Sequence, residues 1–249
     1  MADGNVLQHH PSALRNRIPI LKELLKMLPP SDEFSGLALE IASGTGAHLE
    51  VYAPAFPRLS FQPSEYIPEK SAAPEEQWSK HGKIGLRLDT DELANIDARG
   101  CSIFPNVKQA VALDLTWPWD KWPSAVRDAE GAIVLIICSN TLHISPWECS
   151  VNLFRSASLC LAPGGHLILY GPFKVHGEFI GADGGAGNAK FDEKLRTTNP
   201  DWGIRDVDTL SELAAGAGMA LRDKADMPAN NLVLHYVKQS EEDAKSSRH

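Results

Sequence analysis

The stretch Leu37-Ala-Leu-Glu-Ile-Ala-Ser-Gly-Thr-Gly-Ala-His48 decides the fold. An apolar run carries one acid, Glu40, and ends in a Gly-x-Gly turn at Gly44 and Gly46, with helix-compatible sequence beyond it. A strand, a tight turn and a helix N-terminus in that order place a nucleotide-like ligand at the C-terminal edge of an α/β sheet. The details argue against a dinucleotide fingerprint. That pattern wants a third glycine where this chain has Leu49, and it has no use for a carboxylate just before the turn.

Upstream, Leu14, Ile18, Leu21, Leu25 and Leu28 recur at spacings of three and four, which predicts a helix with that stripe inward, divided in two by Pro19 and closed by Pro29-Pro30. Downstream, a helix to Pro57 precedes a strand near 59–62 that ends in Pro63-Ser-Glu65. Residues 66–90, rich in Pro, Glu, Lys and Ser, read as an inserted loop. A helix near 91–98 and a strand over 110–115 follow, then Ala132–Cys138, an unbroken apolar run suited to a central parallel strand. Ser145-Pro-Trp-Glu148 has the form of a capping box opening a helix to about Leu161. A strand over 166–170, a helix opened by Thr209-x-x-Glu212, and strands near 219–222 and 232–237 complete the series. Strands alternating with helices predict a doubly wound parallel sheet with a hairpin at its last edge. The expected organisation is one domain over 1–237, with 1–30 as a helical cover and 238–249 as a disordered tail.

With 249 residues, 43% of them hydrophobic, the chain suits one α/β domain, and its net charge of −8 disfavours a broad phosphate-binding surface and hence a nucleic-acid partner. Its 4 cysteines form no Cys-x-x-Cys pair, so neither a metal site nor a disulfide framework is expected. No apolar run is long enough to span a bilayer, and the start lacks a signal-peptide pattern. The expectation is a cytoplasmic protein without a membrane partner; the oligomeric state is left open.

Glu40 ahead of Gly-x-Gly resembles the acid in the first motif of S-adenosylmethionine (SAM) dependent methyltransferases, where it lies near the positively charged methionine end of the cofactor. Glu65, closing the second strand, can accept hydrogen bonds from both ribose hydroxyls of a nucleoside. Asp114 closes the third strand, where an acid of this fold meets the adenine amino group and Leu115 packs the ring; otherwise Asp114 is a turn former. Asn140, after the fourth strand, stands where the fold places a polar group beside the methionine part. His143 lies just beyond, where the methyl meets its acceptor. An imidazole there can take the acceptor's proton, with an ordinary ionisation near 6–7, or it can be a structural histidine. Trp147 walls an acceptor pocket or belongs to the core.

Several strings identify the chain as similar to one family, the DUF938 group, also called UPF0585 or methyltransferase-like 26. They are Leu39-Glu-Ile-Ala-Ser-Gly-Thr-Gly46, Phe61-Gln-Pro-Ser-Glu65, Asn140-Thr-Leu-His-Ile144 with Pro146-Trp147, and Tyr170-Gly-Pro-Phe173. Asn188-x-x-Phe-Asp192, Trp202-Gly-Ile-Arg-Asp206, Met227-Pro-Ala-Asn-Asn231 and Pro11-Ser-Ala-x-Arg-Asn16 match as well. The resemblance implies a Rossmann-like class I SAM methyltransferase fold, α/β, with a mostly parallel seven-stranded sheet and an antiparallel last strand. It implies Glu40, Ala42, Gly44, Gly46, Glu65, Asp114, Leu115 and Asn140 as the cofactor set. Tyr170 and Arg205 would join His143 in catalysis by orienting the acceptor. Arg15, Asn16, Phe173, Asn188, Arg196, Asn230 and Asn231 would join Trp147 in holding a substrate. Alternatively, Arg205-Asp206 is an ion pair and Asn230-Asn231 a turn. Two features depart from the family: Glu65 stands where aspartate is usual, and 66–90 is longer.

The resulting expectation is methyl transfer from SAM, with S-adenosylhomocysteine as product, to oxygen or nitrogen of a small molecule and no metal required. The rival readings are a non-methyl-transfer reaction such as cyclisation on the same fold, and a non-catalytic SAM-binding regulatory protein.

Overall fold

The computed structural model describes residues 9–68 and 92–240, so most of the expected insertion, and the tail beyond 240, lie outside the described residues. At its centre, β1 (Gly36–Ile41) pairs in parallel with β2 (Leu59–Glu65) on one side and β4 (Ile133–Ser139) on the other. β3 (Val111–Ala112) extends the sheet beyond β2, and β5 (Leu161–Gly171) lies beyond β4. The last two strands, β9 (Met219–Met227) and β10 (Asn231–Lys238), form an antiparallel hairpin, and β10 inserts antiparallel beside β5. The order is β3-β2-β1-β4-β5-β10-β9, seven strands in all. A right-handed crossover after each parallel strand requires helices on both faces, and the reversal of strand order between β1 and β4 opens a crevice at the strands' carboxyl ends.

The period-2 alternation of each strand sorts its side chains into two cores. Ala38, Leu135, Ile137, Ile168 and Val233 face Ile20 and Leu24 of α1 (Pro11–Met27), Leu49 and Tyr52 of α2 (Leu49–Ala55) and Ile96 of α3 (Glu92–Arg99). Leu39, Ile136, Leu167 and Leu234 face the other way. They meet Val126 of α4 (Ser124–Arg127), Leu153 and Phe154 of α5 (Trp147–Cys160), and Leu210 of α7 (Val207–Gly216). No helix among the described residues is long and apolar enough to cross a membrane.

Several local expectations are corrected. Pro19 does not divide α1: the helix is continuous, and the one hydrogen bond proline removes belongs to the carbonyl of exposed Arg15, which water can reach. The stripe turns differently too. Leu14, Ile18 and Leu25 are 44%, 45% and 47% exposed, while Asn16, Ile20 and Leu24 face the sheet. The capping box does not form. Pro146 is the N-cap of α5, and Ser145 Oγ donates to the Leu142 carbonyl instead. α7 starts before Thr209, capped by the Asp206 carboxylate, which accepts from Asp208 N–H at 2.8 Å. The third strand shrinks to two residues because Asp114 folds an Asx turn, its Oδ1 accepting from Thr116 N–H at 2.8 Å. A second sheet, β7 (Glu178–Phe179), β6 (Phe173–Val175) and β8 (Arg205–Asp206), and helix α6 (Ala186–Thr198) were not anticipated.

Candidate functional site

The turn after β1 is built on three left-handed residues, Ala42 (φ 56), Gly44 (φ 60) and Gly46 (φ 76). Ser43 N–H donates to Ser64 O at 2.9 Å and Gly44 N–H to Glu65 Oε2 at 2.6 Å, so the ends of β1 and β2 are tied at the sheet's carboxyl edge. A Cβ built on Gly44 would meet nothing within 4 Å. The glycine is therefore required by its backbone conformation, and the turn presents open space there.

Glu65 is buried, and its second oxygen accepts from Tyr66 N–H at 2.9 Å. Burial pushes its carboxyl up to about 7, the two N–H donors pull it down, and the charges of Glu92 and Glu40 push it up further. Each oxygen keeps a lone pair, so two hydroxyl donors can still be accepted.

Glu40 is 1% exposed and points toward α1 and α2. Its Oε1 lies 3.1 Å from His48 Nδ1, and His48 Nε2 lies 3.1 Å from Asn16 Oδ1. The His48 ring stacks on Tyr52 at 5.5 Å between centroids. Glu40 Oε2 and the Tyr52 hydroxyl are fully buried and have no hydrogen-bond partner among the described residues. Tyr52, with Glu40 and Tyr170 as neighbouring charges, is held well above the ordinary phenol value, chiefly by burial. Tyr170, at the end of β5, is 4% exposed; Asn16 and Asn231 act on its hydroxyl as hydrogen-bonding neighbours and Arg15 as a nearby positive charge. His48 and Tyr52 were not singled out in the sequence. The signal was available for His48, a polar residue one position before the helix that follows the glycine turn.

On the other side of β5, Asn140 takes a left-handed conformation (φ 56) and its N–H donates to Tyr170 O at 2.7 Å. A Cβ on Gly171 would lie 3.5 Å from His143 Nδ1 and 3.9 Å from Asn140 Oδ1, so both side chains approach Gly171. His143 is buried, with Phe191 edge-on at 5.6 Å. Burial, reinforced by the Arg205 guanidinium, lowers its pKa to about 4. The ionisation near 6–7 is thus displaced, and the ring is neutral across the physiological range.

Other expected contacts are used elsewhere. Arg205 does not pair with Asp206. Its Nε donates to Leu142 O at 3.0 Å and its Nη2 to the carbonyls of Ser145 and Asp201, which pins the turn that carries His143. Trp147 stands beside that guanidinium, 5.6 Å from ring centroid to Cζ. Phe173 and Leu115 are buried in the core shared with α5 and α7. Asn188 Nδ2 donates to Ile180 O and Asn230 O, and Asn230 Oδ1 accepts from Ala182 N–H; these residues splice the segment before α6 to the β9–β10 turn. Arg196 is half exposed and pairs with Asp192 at 2.9 Å. Asp114 keeps one carboxylate oxygen beyond its Asx turn.

Strand order, the glycine turn and acids at the ends of β1 and β2 define the class I SAM-dependent methyltransferase fold. Within that class the chain belongs to the DUF938 family, described as "Protein of unknown function", which it matches over residues 7–238. Among solved structures it is similar to TnmH, at 18% identity and a TM-score of 0.58, covering 92% of this chain and 56% of that one. An O-methyltransferase family protein from Burkholderia thailandensis matches at 15% identity and a TM-score of 0.61, covering 92% and 58%. The mitomycin 7-O-methyltransferase MmcR matches at 14% and 0.61, covering 92% and 54%. The chain spans little more than half the length of these proteins, and at such identities the likeness concerns the fold alone.

Proposed function

We propose that the protein transfers a methyl group from SAM to an oxygen or nitrogen of a small-molecule acceptor. The observation that carries this reading is the pairing of Glu65 with the Gly44 turn, which sets a bidentate acceptor beside open backbone at the sheet's crevice. The buried Oε2 of Glu40, without a partner among the described residues, fits a cofactor with a positively charged end. Glu65 would hold the ribose hydroxyls, Asp114 the adenine amino group, and Asn140 and the Ala42–Gly46 turn the methionyl part. Bound SAM supplies an electrophilic methyl group on a positively charged sulfur.

The chain's own contribution is alignment and exclusion of water. His143, neutral and, like Asn140, beside Gly171, accepts a hydrogen bond from the acceptor and takes its proton as the new bond forms. Arg205 is a positioning residue acting through the Leu142–Ser145 turn. The acidic net charge of −8 supports a small acceptor over nucleic acid. The described cysteines, all free thiols, support a reducing compartment such as the cytoplasm. Incubation with methyl-labelled SAM and a pooled metabolite extract tests the reading. Label should appear in a small molecule, whereas tight nucleoside binding without incorporation into any product would point to a regulatory protein.

A further inference from the structure

The Arg196 guanidinium is held at one edge and open at the other. On α6, one turn after Asp192, its Nε donates to Asp192 Oδ2 at 2.9 Å, while Nη1 and Nη2 make no hydrogen bond among the described residues. Asp192 is itself fixed: it is buried, and its Oδ1 accepts from Ile204 N–H at 2.5 Å. The guanidinium lies against Gly203 (φ 154), where a Cβ would come within 2.5 Å of Nη2 and 3.1 Å of Asp192 Oδ1. Glycine is what leaves room for it. Gly203 N–H donates in turn to His143 O at 3.0 Å, so the backbone that seats the guanidinium also seats the proposed proton acceptor. Phe191, the residue before Asp192, packs edge-on against the His143 ring. Charge is uneven here. Arg205 donates to three backbone carbonyls rather than to a carboxylate; burial lowers its pKa, and Arg196 adds to this as a like charge. Asp192 acts on both guanidiniums, one carboxylate against two cations. In a chain of net charge −8, this is a local excess that a bound anion would neutralise.

We infer that Arg196 anchors a carboxylate carried by the methyl acceptor, so that the acceptor is a small organic acid. The inference rests on the proposed methyl transfer and names its substrate class. The Arg196 side chain is 50% exposed, so its open edge is within reach of a ligand. That edge donates two parallel hydrogen bonds from Nη1 and Nη2, a planar fork that fits a carboxylate. With its acid end held over Gly203, the same molecule brings a separate hydroxyl or amine to His143. Arg205, committed to the carbonyls of Leu142, Ser145 and Asp201, adds positive charge without needing to touch the ligand. Trp147, 39% exposed beside that guanidinium, offers an apolar face for the body of the acid. Asp192 and Gly203 are positioning residues.

The test uses methyl-labelled SAM and a metabolite extract separated on an anion-exchange resin into acidic and non-acidic fractions. Label should enter the acidic fraction, and prior amidation of its carboxylates with carbodiimide and ammonia should abolish incorporation. Phosphate esters share that fraction, and incorporation that survives amidation belongs to them and overturns the carboxylate assignment. In Arg196→Gln, half-maximal rate should require at least tenfold more of the acidic fraction, with the saturating rate and S-adenosylhomocysteine affinity nearly unchanged. Arg196→Lys keeps the charge and loses the fork, so it should fall between the two. An unchanged requirement in Arg196→Gln overturns the anchor. Label confined to the non-acidic fraction overturns the substrate class and leaves methyl transfer standing. Incorporation from neither fraction is a failure of the methyl-transfer reading, and the anchor is then decided without turnover. The acidic fraction, added with S-adenosylhomocysteine, should raise the unfolding midpoint of the wild type and not that of Arg196→Gln. Equal midpoint shifts in the two proteins, or none in either, overturn the anchor as well.

Discussion

Glu65 and His143 are both buried ionisable groups, and burial moves them in opposite senses because it always disfavours the charged form. For Glu65 the result is a carboxyl near 7, with Gly44 and Tyr66 N–H donors resisting the shift. Its ionised form is the better acceptor for two hydroxyls. Affinity for S-adenosylhomocysteine should therefore rise as pH passes upward through about 7 and fall below it. Glu65→Gln removes the charge and turns an NH2 group toward a backbone donor. At about 1.5–3 kcal/mol per charged hydrogen bond, affinity should fall at least tenfold by calorimetry. An unchanged dissociation constant would remove the ribose assignment. His143, lowered to about 4, is a weak base, and its deletion should sit at the low end of general-base effects, roughly 10²-fold in turnover with cofactor affinity nearly unchanged. The rate should show no histidine inflection near 6–7; a clear one there would place the proton acceptor elsewhere. The placement of Glu40 and Glu65 at the strand ends was legible in the sequence because each acid closes an apolar run ahead of a turn. Arg205, Asn188 and Asn230 were not, because the same polar residue types also tie loop carbonyls together, and only coordinates distinguish the two uses.

At the scale of single elements, periodicity proved sufficient for type and insufficient for orientation. α1 carries apolar residues on two sides, so its spacing fits a stripe through Leu14, Ile18 and Leu25 as well as one through Ile20 and Leu24. What selects the second is polar: Asn16 must face inward to reach His48. The consequence is measurable by urea unfolding. Leu24→Ala, fully buried, should cost about 2–5 kcal/mol, whereas Leu25→Ala at the next position should change stability by less than about 0.5 kcal/mol. Comparable losses would restore the first orientation. β4 was readable as a continuous apolar run, since a central parallel strand is covered on both faces. The second sheet was missed because two- and three-residue strands are too short to carry a period. Its place is set by contacts distant in sequence, among them Arg205 holding the Leu142–Ser145 turn. Arg205→Lys keeps the charge and loses the fork, so activity should drop without rescue by lysine. Wild-type activity in the lysine variant would reduce the clamp to an electrostatic contact.

Across the whole molecule, the depressed histidines couple the fold to pH. His143 near one end of the strands and His166 near the other are each lowered to about 4, in both cases mainly by burial. His166 Nδ1 meets His235 Nε2 at 2.9 Å, and His235 Nδ1 meets Asp223 Oδ2 at 3.0 Å, so the second group belongs to a chain of rings that spans β5, β10 and β9. A base whose folded pKa is depressed stays neutral while the unfolded chain takes up a proton. Its stability contribution is complete above the ordinary histidine value of 6.5 and is lost as pH falls toward about 4. Glu65 runs the other way: its pKa is raised from 4.5 to about 7, and it regains stability as pH falls through that interval. Glu92 is raised by burial in the same sense, but with His235 and His9 also lowered the four histidines outnumber these two opposing acids, so unfolding free energy should decline on acidification below about 6.5. The slope is bounded by about 1.4 kcal/mol per pH unit for each fully linked group, and less for the partly exposed His166. His166→Asn can keep a hydrogen bond to His235 without titrating, so urea unfolding of that variant should give a shallower acid slope than the wild type. Parallel slopes for the two proteins would show that the His166–His235–Asp223 chain does not couple the fold to pH.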